Sequence, residues 1–283
     1  MATALGILKG DFGRVALLDL NASLVRHAHP HCHIVLKVSG PARGFGVRDR
    51  LYRIGDDTAI LVNTWEEHFY THEPHLPQTV FLALYIEPTW LASIDRVLNS
   101  VAHPGFFPAS CVTMSPHSRR LADLLADMIA HSAEVTRTEL EATIFDFTLS
   151  LIESFSEWRN IGRGAPMPPA GDFRIRRALR FMRENVDQAA ALDRVAEIAC
   201  LSRPHFNVRF KECTGVTPAT FANVLRVEHA IGALSHGDRP IGALASALGF
   251  TEQGNFTRFF HQHVGTSPRG FRAALDTFDR RAS

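Results

Sequence analysis

The sequence predicts an α+β protein of two domains, in which a β-sandwich or small barrel with following helices precedes an all-α domain. Three observations support this class. Short apolar runs broken by Gly, Pro and Asp clusters occupy residues 12–87, helical periodicity begins at Ser118, and the last part of the chain contains an internal repeat of helix, turn and helix. A chain of 283 residues is long enough for two domains of ordinary size.

The first region is predicted to be rich in β-strands up to about residue 115. Runs such as "HIVLKV" and "TVFLALYI" have the length of strands, and turn-forming clusters such as "SGPARG" separate them. Many short strands at this spacing are typical of a sandwich or a small barrel. Two amphipathic helices are predicted within 118–158, because apolar residues recur three and four positions apart there. These segments form a predicted first domain over residues 1–160.

A segment rich in Gly and Pro, "RNIGRGAPMPPAGD" at 159–172, is the predicted linker to a second domain over 173–283. The charge also changes at this boundary. Residues 1–171 hold 14 Lys and Arg against 18 Asp and Glu, whereas residues 172–283 hold 16 against 11. The basic excess is almost entirely arginine, which suits bidentate recognition of phosphate and guanine. On charge alone, an ordinary solvated surface stays equally open.

Several other function classes lack their sequence signals. No run of about 18 apolar residues predicts a membrane span, and the N-terminus does not resemble a signal peptide. The 4 cysteines are widely spaced, which indicates reduced thiols in a cytoplasmic protein rather than a disulfide framework. The sequence shows no Gly-rich phosphate loop, nucleophile elbow or pair of catalytic carboxylates, so we expect no enzyme activity.

The internal repeat is the most informative feature of the chain. The segment "VAEIACLSRPHFNVRFKECTGVTPATF" at 195–221 matches "LASALGFTEQGNFTRFFHQHVGTSPRGF" at 244–271. After the turn the matching residues lie 50 positions apart, as Phe206 and Phe256 do, and before it they lie 49 apart. The second turn is therefore predicted to be one residue longer. Gly249 is placed to end the first helix of the second copy in a left-handed conformation, and Cys200 occupies that position in the first copy.

The second helix of each copy is expected to bury two phenylalanines four residues apart and to expose polar side chains. Such a helix fits the major groove of DNA, where Asn, Gln and Arg read base edges. A single copy would favour an ordinary amphipathic surface helix, whereas two copies at fixed spacing favour DNA. The candidate DNA-binding residues are Arg203, His205, Asn207 and Arg209 in the first copy and Gln253, Asn255, Thr257 and Arg258 in the second.

Residues 172–283 resemble the paired helix-turn-helix domain of the AraC/XylS transcriptional regulators. The second copy carries the Gly-Phe turn, the Phe-x-Arg-x-Phe helix and the closing Gly-x-x-Pro-x-x-Phe-Arg of that family. The first copy departs from it, because Val208 stands where the second has Arg258. The resemblance implies a double helix-turn-helix domain that binds two adjacent major-groove segments. A helix from Pro218 to about Ser235, roughly 27 Å at 1.5 Å per residue, would be long enough to space them.

The β-rich region resembles the cupin-like sensor domain that precedes the DNA-binding part in many such regulators. Histidines alternate in "HAHPHCH", so within one extended strand all four imidazoles would share a face. The cupin resemblance implies a carboxylate ligand after the histidines, but Lys37 stands there instead. We therefore expect a small-molecule effector site without a bound metal or other cofactor, formed by His31, His33, Lys37 and His68. The alternatives are packing or surface histidines, or a metal sensor or metal-dependent cupin enzyme that uses His29, His31, His33 and His68.

The sequence as a whole predicts a cytoplasmic transcriptional regulator that binds a double-stranded DNA operator under the control of a small-molecule effector. The helices within 118–158 are candidates for a homodimer interface or a relay. Activation, which would require contact with RNA polymerase, and repression both stay open.

Overall fold

The computed structural model describes residues 3–131, 135–156, 172–237 and 239–277. Strands and a few helices form the first region, and helices form almost all of the second. The strands of the first region are β1 Thr3–Gly10, β2 Gly13–Asp19, β3 Leu24–His27, β4 Cys32–Ser39, β5 Arg43–Val47, β6 Arg50–Ile54, β7 Thr58–Val62, β8 His68–Thr71, β9 Val80–Ile86 and β10 Cys111–Thr113. The helices of this region are α1 Pro88–Ile94, a 3₁₀ helix Arg96–Ala102, α2 Pro116–Ala130 and α3 Arg137–Phe155.

Two sheets face each other in the first region. A seven-stranded sheet has the order β10-β7-β4-β9-β2-β1-β11, and a four-stranded sheet has the order β3-β8-β5-β6. The central strands of the larger sheet are buried on both faces, so they read as nearly continuous apolar runs. In β4, the residues Cys32, Ile34 and Leu36 belong to a buried cluster with α2 and α3. Between them, His33 and Val35 point to the opposite face, toward the smaller sheet.

The helices α2 and α3 lie where the periodic segments within 118–158 predict them. Each begins at a side-chain cap. Ser115 accepts from the backbone N–H of Ser118, and Thr136 forms a capping box with Glu139. No helix among the described residues is long and apolar enough to cross a membrane.

The second region is helical and contains the predicted repeat. Its helices are α4 Phe173–Glu184, α5 Leu192–Ile198, α6 Arg203–Thr214, α7 Pro218–Ser235, α8 Ile241–Ala247, α9 Gln253–Val264 and α10 Pro268–Ala274. The pairs α5–α6 and α8–α9 are the two helix-turn-helix copies, and the 18 residues of α7 connect them. The predicted α+β class, with a β-sandwich region and a double helix-turn-helix region, is confirmed.

The expectation that everything after the linker is helical needs one correction. A short strand, β11 Leu275–Thr277, follows α10 and pairs in parallel with β1 at Ile7 and Leu275. Three residues are too few to show a strand periodicity, so the sequence carried no signal for it. The predicted linker at 159–172 lies outside the described residues except for Asp172, which caps α4 through the backbone N–H of Arg174 at 3.0 Å.

The two regions share one buried core. Phe256, Phe260 and Phe271 of the second helix-turn-helix belong to the same apolar cluster as Val35 and Phe45 of the two sheets. The first helix-turn-helix has a largely separate cluster of its own, with Phe206 and Phe210 at its centre. The second copy is therefore the one built onto the β-rich region.

Candidate functional site

Both helix-turn-helix copies have the turn geometry that the repeat predicts. The turn before α9 is one residue longer than the turn before α6. A left-handed residue ends the first helix of each copy, with φ of 53° at Cys200 and 76° at Gly249. The paired phenylalanines of α6 and α9 are fully buried, and they fix which face of each helix points outward.

On α6, acidic neighbours engage the candidate DNA-binding arginines. His205 and Asn207 are exposed, and the arginines are half-buried. The arginine pairs are Arg203–Asp193 at 2.9 Å and Arg209–Glu212 at 2.7 Å. Val208, in the position that Arg258 holds in the second copy, is 55% exposed. The first copy therefore presents fewer free donors to a ligand than its sequence suggests.

On α9, the candidate DNA-binding residues are more available. Gln253, Asn255 and Arg258 are exposed, and Thr257 is half-buried. Within the described part of the chain, Arg258 has no carboxylate within ion-pair distance. Exposed amide and guanidinium groups without competing partners are the groups that read adenine and guanine.

A second polar constellation lies in the β-rich region, where four histidines gather. His27 ends β3 and lies directly opposite His68 of β8 in the smaller sheet. His33 comes from β4 of the larger sheet, and His29 lies in the segment that crosses between the sheets. The ring centroids of His29 lie 4.7 Å from His33 and 4.8 Å from His68, and those of His27 and His68 are 4.3 Å apart. We call these four residues the histidine cluster.

Backbone carbonyls hold three rings of the histidine cluster in one tautomer. Each of these rings donates from Nδ1 to a backbone carbonyl. The pairs are His27 with Val25 at 2.7 Å, His33 with Leu84 at 2.9 Å and His68 with Glu66 at 2.9 Å. A carbonyl oxygen only accepts, so each Nδ1 carries the proton and each Nε2 keeps its lone pair.

Burial keeps the histidine cluster uncharged at neutral pH. It lowers the pKa of His33 and of His68 to about 3 and holds the pKa values of His27 and His29 well below the ordinary range. Neighbouring imidazoles oppose protonation further, because a second positive charge would lie within a few ångströms.

The structure changes the membership of the predicted histidine site. His31 points away from the histidine cluster, with Nε2 2.9 Å from Glu87 and Nδ1 3.8 Å from Glu228. Lys37 shares the face of His33 on β4, but lies toward the opposite end of the strand and pairs with Asp56. The ammonium of Lys37 bonds Asp56 and the carbonyl of Gly40, so the structure does not bring it together with His33 and His68, and its role in effector binding stays a prediction. The observed cluster contains His27 in place of the His31 of the all-histidine alternative, because β3 ends at His27 and residues 28–31 cross to the other sheet.

Helices of the second region pack directly on this site. The ring of His263 in α9 lies 6.2 Å from that of His27. Phe221 of α7 stacks on Trp65 at 5.1 Å, and Thr220 donates to Glu67 at 3.2 Å. A cavity lies between the two regions at this point. Its lining includes Arg14, His27 and Tyr85 from the strands and Asn223, Glu228 and His263 from α7 and α9.

Few features of the sequence predict these contacts between the regions. His27 belonged to the alternating run and could have been included by its spacing alone. Arg14, Tyr85 and His263 carried no such signal, because each lies in an ordinary strand or helix pattern far away in sequence. Arg14 lies over the ring of Tyr85 at 3.9 Å, which shows how the β-rich wall of the cavity is held.

Comparisons with known proteins agree with both halves of this architecture. Residues 20–148 match the family model of the AraC-like ligand binding domain, and residues 195–274 match that of a helix-turn-helix domain. The HTH-type transcriptional activator RhaS of Escherichia coli is 26% identical over 263 residues, which cover 91% of this chain and 90% of RhaS. RhaS of Shigella boydii is 25% identical with the same coverage.

Solved structures show the same arrangement of domains. An apo variant of ToxT from Vibrio cholerae aligns over 93% of this chain and 97% of its own, with a TM-score of 0.57 and 13% identity. Wild-type ToxT bound to an unsaturated fatty acid aligns over 92% of this chain and 95% of its own, with a TM-score of 0.56 and 12% identity.

A ligand-binding β domain joined to a paired helix-turn-helix defines a DNA-binding transcriptional regulator. The chain belongs to the AraC family of such regulators. Its relatives are regulators by name, and nothing in the comparisons favours the metal-dependent enzyme that the histidine run had left open.

Proposed function

We propose that this regulator reads its operator mainly with α9 and uses α6 chiefly to contact the DNA backbone. The observation that supports this division is the difference in available donors. Arg258, Asn255 and Gln253 are exposed, whereas Arg203 and Arg209 already donate to carboxylates. Phosphate contacts position a protein on DNA, and base-edge contacts specify the sequence.

The assignment of α9 is tested by selecting duplexes from a random library with the full-length protein. We expect one strongly selected segment, read by α9, and a weakly selected segment about 34 Å away, where α6 contacts the backbone. The change Arg258→Ala should cost roughly 1–3 kcal/mol of specific binding and relax the preference at one base pair. Arg53→Ala, which removes an exposed arginine from β6, far from the proposed DNA-binding and dimer surfaces, is the matched control. Unchanged affinity and specificity in Arg258→Ala would refute the assignment.

We further propose that the effector binds in the cavity between the two regions. The cavity volume, counted over positions that a water's centre can occupy, is about 40 Å³, which is room for roughly three waters. A larger effector must therefore move α7 or α9 away from the strands. That displacement would give the effector different affinities for two states, which is the requirement for control of DNA binding. The fatty acid in a ToxT structure supports a small-molecule ligand for this fold.

A thermal-shift screen of small metabolites on the full-length protein tests the effector proposal. A compound that binds the native state raises the melting temperature by mass action. A true effector should lose this shift in Asn223→Ala and in Glu228→Ala, which change the helical wall of the cavity, and keep it in Arg53→Ala. An unchanged shift in both cavity variants would place the effector elsewhere.

The remaining assignments concern partners. We propose that the protein acts in the cytoplasm and activates transcription with RNA polymerase. The activation proposal is supported by the relative RhaS, which is named an activator.

We also propose that the protein dimerises through α2 and α3. Leu124 of α2 is 49% exposed on the face away from the sheet, where a second copy could cover it. Sedimentation equilibrium should show a dimer that Leu124→Glu weakens. A monomer in the unsubstituted protein would contradict the dimer.

A further inference from the structure

We propose that the histidine cluster is a binding site for a divalent transition-metal ion of the zinc class, with His27, His29 and His68 as ligands and His33 as the fourth imidazole. One nitrogen from each of the first three residues lies within 4.8 Å of the others. Metal binding at this site does not depend on the effector, whereas the effect of the metal on DNA binding rests on the proposed function. This departs from the expectation of no bound metal that the sequence favours.

Unpartnered nitrogen atoms point to a missing ligand. Both ring nitrogens of His29 and Nε2 of His68 are buried and have no hydrogen-bond partner among the described residues. These side chains belong to residues that are only 5% and 1% exposed. Buried polar groups are nearly always satisfied, so several unsatisfied lone pairs in one place indicate a bound cation or water. A cation shared by these lone pairs satisfies them together.

The surroundings of the rings favour a metal ion over water. Metal-ligating histidines usually donate their other ring N–H to a carbonyl or carboxylate, which fixes the tautomer and the ring orientation. His27, His33 and His68 each donate from Nδ1 to a backbone carbonyl in this way. Three rings prepared in the same tautomer leave three Nε2 lone pairs as potential ligands.

The donor set selects the class of metal. Neutral imidazole nitrogens suit Zn²⁺, Cu²⁺, Ni²⁺ and Co²⁺, whereas Ca²⁺ and Mg²⁺ require oxygen ligands. The two acidic residues just before His68 are engaged elsewhere: Glu66 accepts from Asn63 and pairs with Arg48, and Glu67 accepts from Thr220. Zinc bonds of about 2.0–2.1 Å place tetrahedral ligand atoms roughly 3.4 Å apart. The ring nitrogens now lie within 4.8 Å of one another, so small side-chain rotations must bring them closer by about an ångström.

The charge around the histidine cluster is mixed. Arg14, over the ring of Tyr85, opposes a cation. Two carboxylates favour a cation, because Glu87 and Glu228 both contact His31. The ring of His31 lies 5.7 Å from that of His29, so these carboxylates stand one side chain behind the ligands.

The ion would act on the DNA-binding region through two contacts. His263 of α9 faces His27, which is one of the ligands. Trp65 donates its backbone N–H to the carbonyl of His29 at 2.8 Å and stacks on Phe221 of α7. Trp65 also has a left-handed φ of 61°, a conformation that a bulky residue keeps only when its surroundings impose it. Fixing His27 and His29 therefore fixes the surface on which α7 and α9 rest.

Metal binding is measured on the untagged full-length protein by equilibrium dialysis with Zn²⁺ and by the visible absorption of bound Co²⁺. We expect one ion per chain and the intense absorption of a tetrahedral Co²⁺ site. His29→Gln and His68→Gln should weaken Zn²⁺ binding by more than about 100-fold, because loss of a ligand exceeds the 10- to 100-fold effect of losing an outer partner. His31→Gln, beside the cluster, and His236→Gln, exposed on the second region, are the controls.

The outcomes separate the parts of the proposal. No stoichiometric ion in the unsubstituted protein overturns the site, and this result needs no variant. Equal loss of binding in controls that keep the circular-dichroism spectrum of the unsubstituted protein overturns it as well. With the site present, removal of the ion by a chelator should change affinity for selected operator DNA at least several-fold. Unchanged DNA affinity overturns the coupling alone. A protein that selects no DNA with or without the ion instead contradicts the proposed function.

Discussion

The two helix-turn-helix copies share one shape but differ in what surrounds them. The first copy packs in a largely separate apolar cluster, and its arginines are engaged by carboxylates. The second shares its core with the β-rich region, and the end of α9 faces the histidine cluster at His263. The helix best placed to read bases is thus also the helix in contact with the sensing region. If α9 reads the operator as proposed, a signal from the β-rich region can reach it through these packing contacts.

The largest expected effect concerns the two cores. Phe206→Ala and Phe256→Ala each remove a fully buried aromatic side chain, so each should cost about 3–5 kcal/mol. The consequences should differ in extent. Hydrogen exchange should rise only within the first copy for Phe206→Ala, but also in the strands of the smaller sheet for Phe256→Ala. Faster exchange confined to the second copy in Phe256→Ala would show that the shared core does not couple the regions.

Backbone conformation gives the next largest effect. Gly249 has a φ of 76°, and an added Cβ would overlap the Asp187 carbonyl oxygen. Gly249→Ala should therefore destabilise the second copy by about 1–3 kcal/mol in urea unfolding. Gly254→Ala is the matched control, because it lies in α9 with open space around it and should stabilise by up to about 1 kcal/mol. Similar losses in both variants would mean that the helix, not the turn, is sensitive.

Local patterns predicted most of the helical region. The offset between the copies predicted the longer second turn, and the positions of Gly249 and Cys200 predicted their left-handed conformations, because turn chemistry is set by neighbouring residues. The β-rich region was predicted as a class only. Strand order and pairing depend on contacts between distant segments, such as β1 with β11, that no local period encodes.

The candidate site was predicted in part, for the same reason. A run of alternating histidines indicated a gathering of imidazoles, and His33 and His68 do meet. The sequence could not show that the chain changes sheets over residues 28–31, which brings His27 in and turns His31 toward Glu87. The contact of His27 with His263 joins residues more than 200 positions apart, and only the packed structure reveals it.

A third test transfers a donor from one copy to the other. Val208 is exposed where the second copy has Arg258, so Val208→Arg adds a cation to the DNA-facing side of α6 without disturbing the core. One new phosphate contact should make the salt dependence of DNA binding steeper by about 0.9 in the logarithmic slope. Val208→Gln, which adds a polar side chain of no charge, is the control. An unchanged slope would mean that α6 does not face the duplex at this position.

The smallest expected effect lies at the turn of the first copy. Cys200 holds a left-handed φ of 53°, which costs an ordinary residue about 1–2 kcal/mol. Cys200→Gly removes this strain, but glycine also gains freedom in the unfolded chain, which offsets roughly 0.4–1 kcal/mol of the benefit. The contact of the Cys200 sulfur with Arg177 at 2.9 Å is lost as well. We therefore expect a net stabilisation of about 0.5 kcal/mol, visible as a small rise in the urea midpoint. Cys200→Ala removes the same sulfur and keeps the Cβ, so it should give no gain. An equal gain in stability in both variants would show that loss of the cysteine side chain causes it. It would contradict the prediction that the left-handed backbone at Cys200 is strained.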